Sequence, residues 1–434
     1  MADHPLRLET VSDPAEWADL LERCRETSIQ QTWAYGQAVH DCIDWNPVRH
    51  KLIDGDGEPV GIAQALEKEL PVLGRTVRLQ HGPMFIDAGF DPDQAAAALE
   101  RLRSHWVDES GASLHLTPCL VDPGDLPPGW DAAAGFHPSE EPLWTSIRVD
   151  ATLPESRLLK NMKRRWRGPL KKSEKAGVTL EIGNGNEDME FFLERYESAA
   201  REKGFTWPSP ELVRAIHQAD PDALRLLFAQ HDGERVAAMV LQSCANTFFS
   251  LVAWNGPQSG AVNAHNFLIY ASIQYTAESG GVWLDLGGID EKHLPGITAF
   301  KRGVGGREYA YLGNWEVRPE TGADADGEDY RKGLGHILTG LEPPSAGGDP
   351  ADDRIPRVAA ILARFVQEMT AEELAAEPDT SLLADGLIDS LTLVSVVQAL
   401  QETFQVEVGV ADITLDNFDR VSAIAEFIRK RSEG

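Results

Sequence analysis

A stretch rich in Pro, Gly, Ser and Asp, residues 342–353, constrains this chain of 434 residues more than any other feature. It holds no large apolar side chain with which to build a core, and its Pro-Pro pair stiffens the backbone. The composition therefore predicts a linker, assigned to residues 341–353, between separately folded parts. A chain of this length also exceeds what one ordinary core organises, so several domains are expected.

Upstream of the linker, helical and strand patterns alternate, and their order runs twice along the chain. Helices are predicted at 13–24, 32–42, 95–110, 187–203, 210–218 and 263–279. Strands are predicted at 48–53, 60–68, 113–117, 143–149, 224–230, 236–243, 247–253, 282–286 and 309–317. The repeated order predicts an α/β fold of two mixed halves packed together, residues 1–150 and 151–340.

The charge distribution points to one anionic partner. The net charge of −29 argues against a protein that coats nucleic acid non-specifically. Residues 157–175 nevertheless hold nine Lys or Arg against one acid, Glu174. Such a run can be a solvated helix face, but in so acidic a chain it favours an anion-binding surface. Within the predicted basic helix, Gly168-Pro169 is expected to break or kink the backbone.

Several classes of protein are excluded by what the sequence lacks. Its four cysteines are far apart and no His/Cys cluster is present, so neither a metal site nor a disulfide frame is expected. No apolar run approaches the ~18 residues that span a bilayer, and the first residues lack the apolar core of a signal peptide. A cytoplasmic protein without a membrane partner is therefore expected.

The region after the linker carries an ordered set of helical motifs. Residues 354–369 form an amphipathic pattern, and residues 386–391 read Gly-Leu-Ile-Asp-Ser-Leu at the start of a second helix. Ser390 would there expose its hydroxyl at the helix N-terminus, either as a simple cap pair with Asp389 or as a modification site. Asn417-Phe418 and a closing helix follow.

This order resembles the acyl/peptidyl carrier protein family across residues 354–434. The resemblance implies a small four-helix domain in which a separate phosphopantetheinyl transferase attaches 4′-phosphopantetheine to Ser390. It also implies an acidic face, including Asp385, Asp389 and Glu402, on which other biosynthetic enzymes dock. Residues 351–434 hold 16 acids and 7 bases, which fits such a face.

A second set of motifs spans residues 25–318. It comprises 31–37 (Gln-Thr-Trp-Ala-Tyr-Gly-Gln), the basic run 163–178, 284–288 (Leu-Asp-Leu-Gly-Gly), 296–306 around Phe300-Lys301, and Tyr311-x-Gly313. In this order and spacing the set resembles the FemABX family of aminoacyl-tRNA-dependent transferases. The resemblance implies two GNAT-like α/β halves and transfer of an aminoacyl group from tRNA onto an amine.

Chemistry of this kind needs alignment and charge stabilisation rather than a nucleophile. The tRNA ester is already activated, so a positive group at the developing oxyanion is the main demand. The resemblance gives that role to Lys301, which could alternatively be a surface Lys beside a turn. Gly303, Gly305 and Gly306 are expected to let substrate approach closely. Asp285 is expected either to orient the amine or Lys301, or to cap its strand.

The basic segment would then hold tRNA. Arg167 and Lys171 match two Arg positions of the family pattern, and Trp166 could stack on a base or pack between the halves. The tRNA-binding set predicted from the sequence is Lys160, Lys163, Arg164, Arg165, Arg167, Lys171 and Lys172.

The sequence leads to one main hypothesis and two rivals. The main one is an aminoacyl-tRNA-dependent aminoacyltransferase acting on an intermediate tethered to its own carrier domain, in specialised peptide-like metabolite biosynthesis. The acceptor would be a tethered amine or the pantetheine thiol itself. The rivals are a tRNA-independent GNAT-type acyltransferase that uses CoA or a carrier-bound donor, and a non-catalytic scaffold that presents the carrier. Absence of Lys or Arg from residues 33–43 points away from cell-wall bridge synthesis.

Overall fold

A computed structural model describes most of the chain before the linker and parts of the C-terminal region. The described residues are 6–70, 74–139, 143–183, 185–203, 208–292, 294–319, 358, 400, 404, 406, 408, 415–418 and 420–432. The chain divides into two compact units: residues 1–68, 77–203 and 207–318 form the first, and residues 69–76, 204–206 and 319–434 the second.

The N-terminal half is built on an eight-stranded mixed sheet. Its strands in this half are β1 (Arg7–Thr10), β2 (Asn46–Ile53), β3 (Pro59–Leu70), β4 (Gly74–Leu79), β5 (Met84–Phe85), β6 (Ser113–Leu116) and β7 (His137–Pro138). Its helices are α1 (Pro14–Glu22), α2 (Trp33–Ile43), α3 (Pro92–Arg103) and α4 (Trp130–Ala133), with short 3₁₀ turns at Ile29–Gln31 and Pro123–Asp125. The predicted helix 95–110 changes character after Arg103 and ends as a π-helical turn, Ser104–Glu109.

The second half is built on a seven-stranded sheet. Its strands are β8 (Thr145–Asp150), β9 (Thr179–Ile182), β10 (Leu224–His231), β11 (Glu234–Cys244), β12 (Thr247–Asn255), β13 (Trp283–Gly288) and β14 (Arg307–Ala310). Its helices are α5 (Glu155–Asn161), α6 (Arg164–Lys175), α7 (Asn186–Lys203), α8 (Pro210–Ala219), α9 (Ser259–Val262), α10 (Ala264–Glu278) and α11 (Pro295–Val304). The two mixed sheets confirm the predicted α/β fold class.

Local sequence explains where several helices begin. α1, α3 and α8 each start with Pro, whose fixed φ suits the first helical turn. The residues just before them, Asp13, Asp91 and Ser209, accept a hydrogen bond from a backbone N–H of that turn. Such caps satisfy donors that have no partner inside the helix.

The two halves exchange strands, which the sequence pattern did not predict. The segment 309–317, predicted as one strand, divides: β14 pairs with β8 in the second sheet, while β15 (Trp315–Val317) pairs with β6 in the first. Likewise β8 lies in the second sheet, although the boundary between halves was placed after residue 150. The first sheet therefore includes β15, and the second includes β8, each from the other side of that boundary. The sequence pattern did not indicate this, because the strands that pair lie far apart in sequence.

The basic segment is two helices, and its break lies elsewhere than predicted. The expected interruption at Gly168-Pro169 is wrong, because α6 continues through Pro169. Trp166 and Leu170, on the turns around Pro169, are buried and hold the helix against the core. The break lies instead at Met162 and Lys163, the two extended residues between α5 and α6.

The described C-terminal residues include two helices, α12 (Leu415–Phe418) and α13 (Val421–Ser432). Phe418, Val421, Ile424 and Ile428 are buried there, and the rings of Phe418 and Phe427 lie 5.1 Å apart. None of the helices in the described part of the chain is long and apolar enough to cross a membrane.

Candidate active site

The candidate site lies where two parallel strands of the second sheet stop pairing. The pairs between β12 and β13 end with Phe249 opposite Asp285, although the strands run on to Asn255 and Gly288. On its other edge β12 shifts register against β11, and such a bulge bends a strand. We call the region beyond these last pairs the gap between β12 and β13.

Lys301 lies at this gap. It projects from α11, is partly buried, and its Nζ donates a hydrogen bond to the carbonyl of Gly288, 2.7 Å away. A Cβ on Gly287 would lie 3.5 Å from that Nζ and 3.2 Å from the carbonyl oxygen of Ser250 on β12. Burial lowers the pKa of Lys301 to about 8, while the negative charge of Asp285 opposes this shift. The ammonium is therefore poised to lose its proton just above neutral pH.

Asp285 is a buried anchor of the second sheet. One carboxylate oxygen accepts hydrogen bonds from Ser146 Oγ at 2.6 Å and Gly287 N at 2.8 Å, and the other accepts from Tyr309 OH at 2.6 Å. Burial raises its pKa, and these hydrogen bonds counteract the rise. Asp285 therefore ties β8, β13 and β14 together and influences Lys301 by charge, without a direct hydrogen bond.

The glycines after Lys301 serve packing, which corrects the expectation that they admit substrate. A Cβ on Gly303 would lie 2.8 Å from Trp166, one on Gly305 would lie 2.3 Å from the carbonyl oxygen of Asn161, and one on Gly306 would lie 2.5 Å from that of Arg148. The glycines thus let α11 and β14 approach α5, α6 and β8.

The predicted tRNA-binding residues form an exposed basic face on α5 and α6. Lys160, Lys163, Arg164, Arg165, Lys171 and Lys172 are exposed and Arg167 is half-buried. None forms an ion pair with a carboxylate among the described residues.

This basic face borders the helix that carries Lys301. The backbone N–H of Lys163 donates to Gly303 O at 2.9 Å, and Arg165 reaches Ala299 O at 3.4 Å. Trp166 is buried in the core of the second half with its ring 5.8 Å from that of Phe300. It packs within that half, neither between the halves nor in position to stack on a base.

Two residues near Lys301 carried no recognisable signal in the sequence. His265 begins α10 and its ring lies 5.3 Å from that of Phe300, while its Nδ1 is buried without a hydrogen-bond partner in the described structure. Burial, together with the smaller effect of the positive charge of Lys301, lowers the pKa of His265 to about 4. Trp144 lies against Gly288, where a Cβ would meet its ring at 2.8 Å, and remains 42% exposed. A lone His and an apolar pair at a strand start are too common to identify a site.

A separate cleft of about 590 Å³ lies in the second half. Phe191, Trp254 and Arg195 line it, and neither Lys301 nor Asp285 does. The guanidinium of Arg195 lies 3.4 Å from the centroid of the Phe191 ring. The arginines of this cleft, Arg195 and Arg235, are engaged with neighbouring carboxylates and aromatic rings.

The remaining predicted site residues belong to the carrier region. Ser390, Asp385, Asp389 and Glu402 lie outside the described residues. Their roles stay predictions from the sequence motif. In that motif, the Ser390 hydroxyl is the group that suits phosphopantetheine attachment.

Comparison with known proteins identifies both parts of the chain. The model of the phosphopantetheine attachment site matches residues 357–428. Over 66 residues, the chain is 32% identical to the D-alanyl carrier proteins of two strains of Lactobacillus delbrueckii subsp. bulgaricus, covering 15% of this chain and 82% of each relative. The C-terminal region belongs to the phosphopantetheine carrier family. It therefore carries a 4′-phosphopantetheine group, which supplies a long arm ending in a thiol, and it interacts with a phosphopantetheinyl transferase.

The transferase part is similar to acyltransferases. The model of the acetyltransferase (GNAT) domain matches residues 160–302, which include the basic face and Lys301. The crystal structure of FemX superposes with a TM-score of 0.63 at 15% identity, covering 72% of this chain and 97% of FemX. This likeness shows a shared two-halved fold. The chain is thus an acyltransferase of the GNAT type joined to a phosphopantetheine carrier domain.

Proposed function

We propose that this protein transfers an aminoacyl group from aminoacyl-tRNA onto an amine tethered through phosphopantetheine to Ser390 of its own carrier domain. The observation that carries the proposal is the exposed basic face of α5 and α6, which contacts α11 and so adjoins Lys301. In a chain of net charge −29, this concentration of positive charge suits binding of a polyanion whose aminoacylated end must reach Lys301.

The proposed reaction forms one bond and breaks one. The amine nitrogen attacks the carbonyl carbon of the ester, the carbon–oxygen bond to ribose breaks, and one amine proton ends on the released ribose hydroxyl. The protonated Nζ of Lys301 faces the negative oxygen of the tetrahedral intermediate, in a partly buried place where a charge acts strongly. Asp285 keeps β13 and the Gly287 turn in place beneath it.

A second candidate takes its acyl group from CoA or from a carrier-bound thioester. The match of residues 160–302 to an acetyltransferase domain favours it, as does the gap between β12 and β13. The two candidates differ in one requirement, since only the first needs RNA.

A test of this difference uses the full chain with its arm attached. Product formed from a pool of aminoacylated tRNA should disappear when the pool is treated with RNase beforehand. Acetyl-CoA or aminoacyl-CoA should not replace the tRNA. Transfer that survives RNase would contradict the proposed function and support the second candidate.

A further inference from the structure

Exposed apolar side chains concentrate around Lys301. In the described part of the chain, the exposed large apolar side chains are Ile43, Leu143, Trp144, Leu180, Ile182, Leu294 and Ile297. Four of them lie on two segments next to the candidate site: Leu143 and Trp144 just before β8, and Leu294 and Ile297 at the start of α11, the helix that carries Lys301. We call these four the apolar rim. Scattered exposed apolar residues are ordinary, but a group of them beside a reactive side chain indicates a binding site.

Two members of the apolar rim, Trp144 and Ile297, lie next to the candidate site. The ring of Trp144 lies over Gly288, whose carbonyl accepts the hydrogen bond from Lys301. Ile297 precedes Lys301 by one helical turn in α11, so both side chains point to the same face. Leu294 immediately precedes that helix, and Leu143 precedes Trp144.

α11 thus has two chemically different surroundings. Its C-terminal part contacts α6 through Gly303 and Phe300, on the side of the basic face. Its N-terminal part belongs to the apolar rim, whose members bear no charge to attract a polyanion. A tRNA held on α5 and α6 would approach Lys301 from the basic side, and the second substrate would then approach across the rim.

We propose that the apolar rim binds an apolar side chain on the acceptor that the carrier domain presents. This inference rests on the proposed function, because it assigns the rim to the tethered acceptor rather than to the amino acid on tRNA. The substrate class it names is an amine-bearing acyl group with a branched aliphatic or aromatic side chain. Removing such apolar contacts typically changes discrimination by about tenfold or more.

A binding experiment tests the rim without requiring transfer. The full-length Ser390→Ala variant, which has no arm of its own, would be titrated calorimetrically with leucyl and glycyl amides of amino-pantetheine, in which an amine replaces the thiol and prevents hydrolysis. We expect the leucyl compound to bind about tenfold more tightly. Trp144→Ala and Ile297→Ala should abolish that preference with little change in melting temperature. The matched control is Ile182→Ala, since Ile182 is 51% exposed but lies on β9 at the far edge of the sheet; it should keep the preference.

The outcomes separate this inference from the proposed function. Equal affinity for the two compounds, or loss of preference in Ile182→Ala alone, would overturn the inference. Tighter binding of the leucyl compound, combined with transfer that RNase does not abolish, would support the role of the apolar rim and contradict the tRNA-dependent function. Transfer whose rate follows the side chain on tRNA and ignores the side chain on the arm would assign the rim to the donor, and the inference would be wrong.

Discussion

At the scale of single residues, the proposed reaction depends most on Lys301, because this side chain brings a positive charge to the gap between β12 and β13. Lys301→Ala should lower kcat by about 10²–10³, since the loss of one oxyanion donor typically costs roughly 3–4 kcal/mol. Affinity for tRNA and melting temperature should remain near those of wild type. Lys301→Arg should rescue only in part, because a planar guanidinium does not occupy the place of a compact ammonium. If kcat holds while tRNA affinity falls, Lys301 binds a phosphate and its catalytic role must be abandoned.

Because its pKa is lowered, the proposed role of Lys301 in stabilising the oxyanion can also be tested through the dependence of the transfer rate on pH. If the protonated ammonium stabilises the oxyanion, the single-turnover rate must fall as pH rises through about 8, where the proton is lost. Arg stays protonated throughout this range, so Lys301→Arg should remove the falling limb at a lower maximal rate. A rate that instead rises through pH 8 in wild type, with the rise lost in Lys301→Arg, would mean that neutral Lys301 acts as a base.

At the scale of elements, the basic face of α5 and α6 can be tested through its dependence on salt. Reversing the charge of Lys163, Arg164 and Arg165 should weaken tRNA binding and flatten the log–log plot of affinity against salt. Each tRNA phosphate that the protein no longer neutralises removes about 0.9 from the slope for a duplex and about 0.7 for a single strand. Reversing three exposed bases elsewhere, Arg7, Arg23 and Arg318, serves as the control and should leave the slope near wild type. Indistinguishable slopes for the two triple variants would remove this face from the mechanism.

The packing of α5 against the end of α11 makes a second prediction at this scale. Gly305 has φ of +88° and no room for a Cβ beside the Asn161 carbonyl. Gly305→Ala should therefore lower the free energy of unfolding by about 1–3 kcal/mol. Gly296→Ala, in the same helix with open space around it, should change it by less than about 1 kcal/mol. Equal denaturation midpoints for the two variants would show that the close packing at Gly305 is not tight in solution.

Elements whose signal is local were predictable from the sequence. The β10–β11 hairpin follows from apolar runs on either side of Asp232-Gly233, and α8 from its Ser209-Pro210 start. The exchange of β8 and β15 was not predictable, because it depends on strand pairing between residues far apart in sequence, such as Asp150 with Trp283 and Leu116 with Trp315. Periodicity identifies a strand but carries no information about its partner.

The candidate site likewise has parts that the sequence predicted and parts that it did not. The motifs singled out Lys301 and the basic run, and the fold places the helices of that run against α11. The helix that carries Lys301 was not predicted from the sequence. The functions of Gly303, Gly305 and Gly306 were misassigned, because a glycine needed for packing reads the same as one needed for a ligand. His265 and Trp144 join the site only through the fold, since they lie far from Lys301 in sequence.

At the scale of the whole molecule, a transferase and a carrier share one chain, which under the proposed function would keep the tethered acceptor at a high local concentration. Linking two partners replaces a bimolecular encounter by an intramolecular one, at effective concentrations of the order of millimolar for short flexible links. Ser390→Ala should therefore abolish product on the chain. A separately expressed carrier domain, loaded and added in trans at micromolar concentration, should restore transfer only weakly. Full restoration in trans at that concentration would mean that the fusion brings no kinetic advantage.

The most direct test of the proposed function is the intact mass of the full-length protein. Its arm would first be loaded with a leucyl group and the protein then incubated with aminoacylated tRNA. We predict a gain of one aminoacyl residue on Ser390 that requires Lys301, is lost after RNase treatment of the tRNA, and lies in an amide distal to the thioester. Hydroxylamine, which cleaves thioesters and spares amides, should release the dipeptide as its hydroxamate and leave the free thiol on the arm. No mass gain, or a gain that survives RNase, would contradict the proposed function.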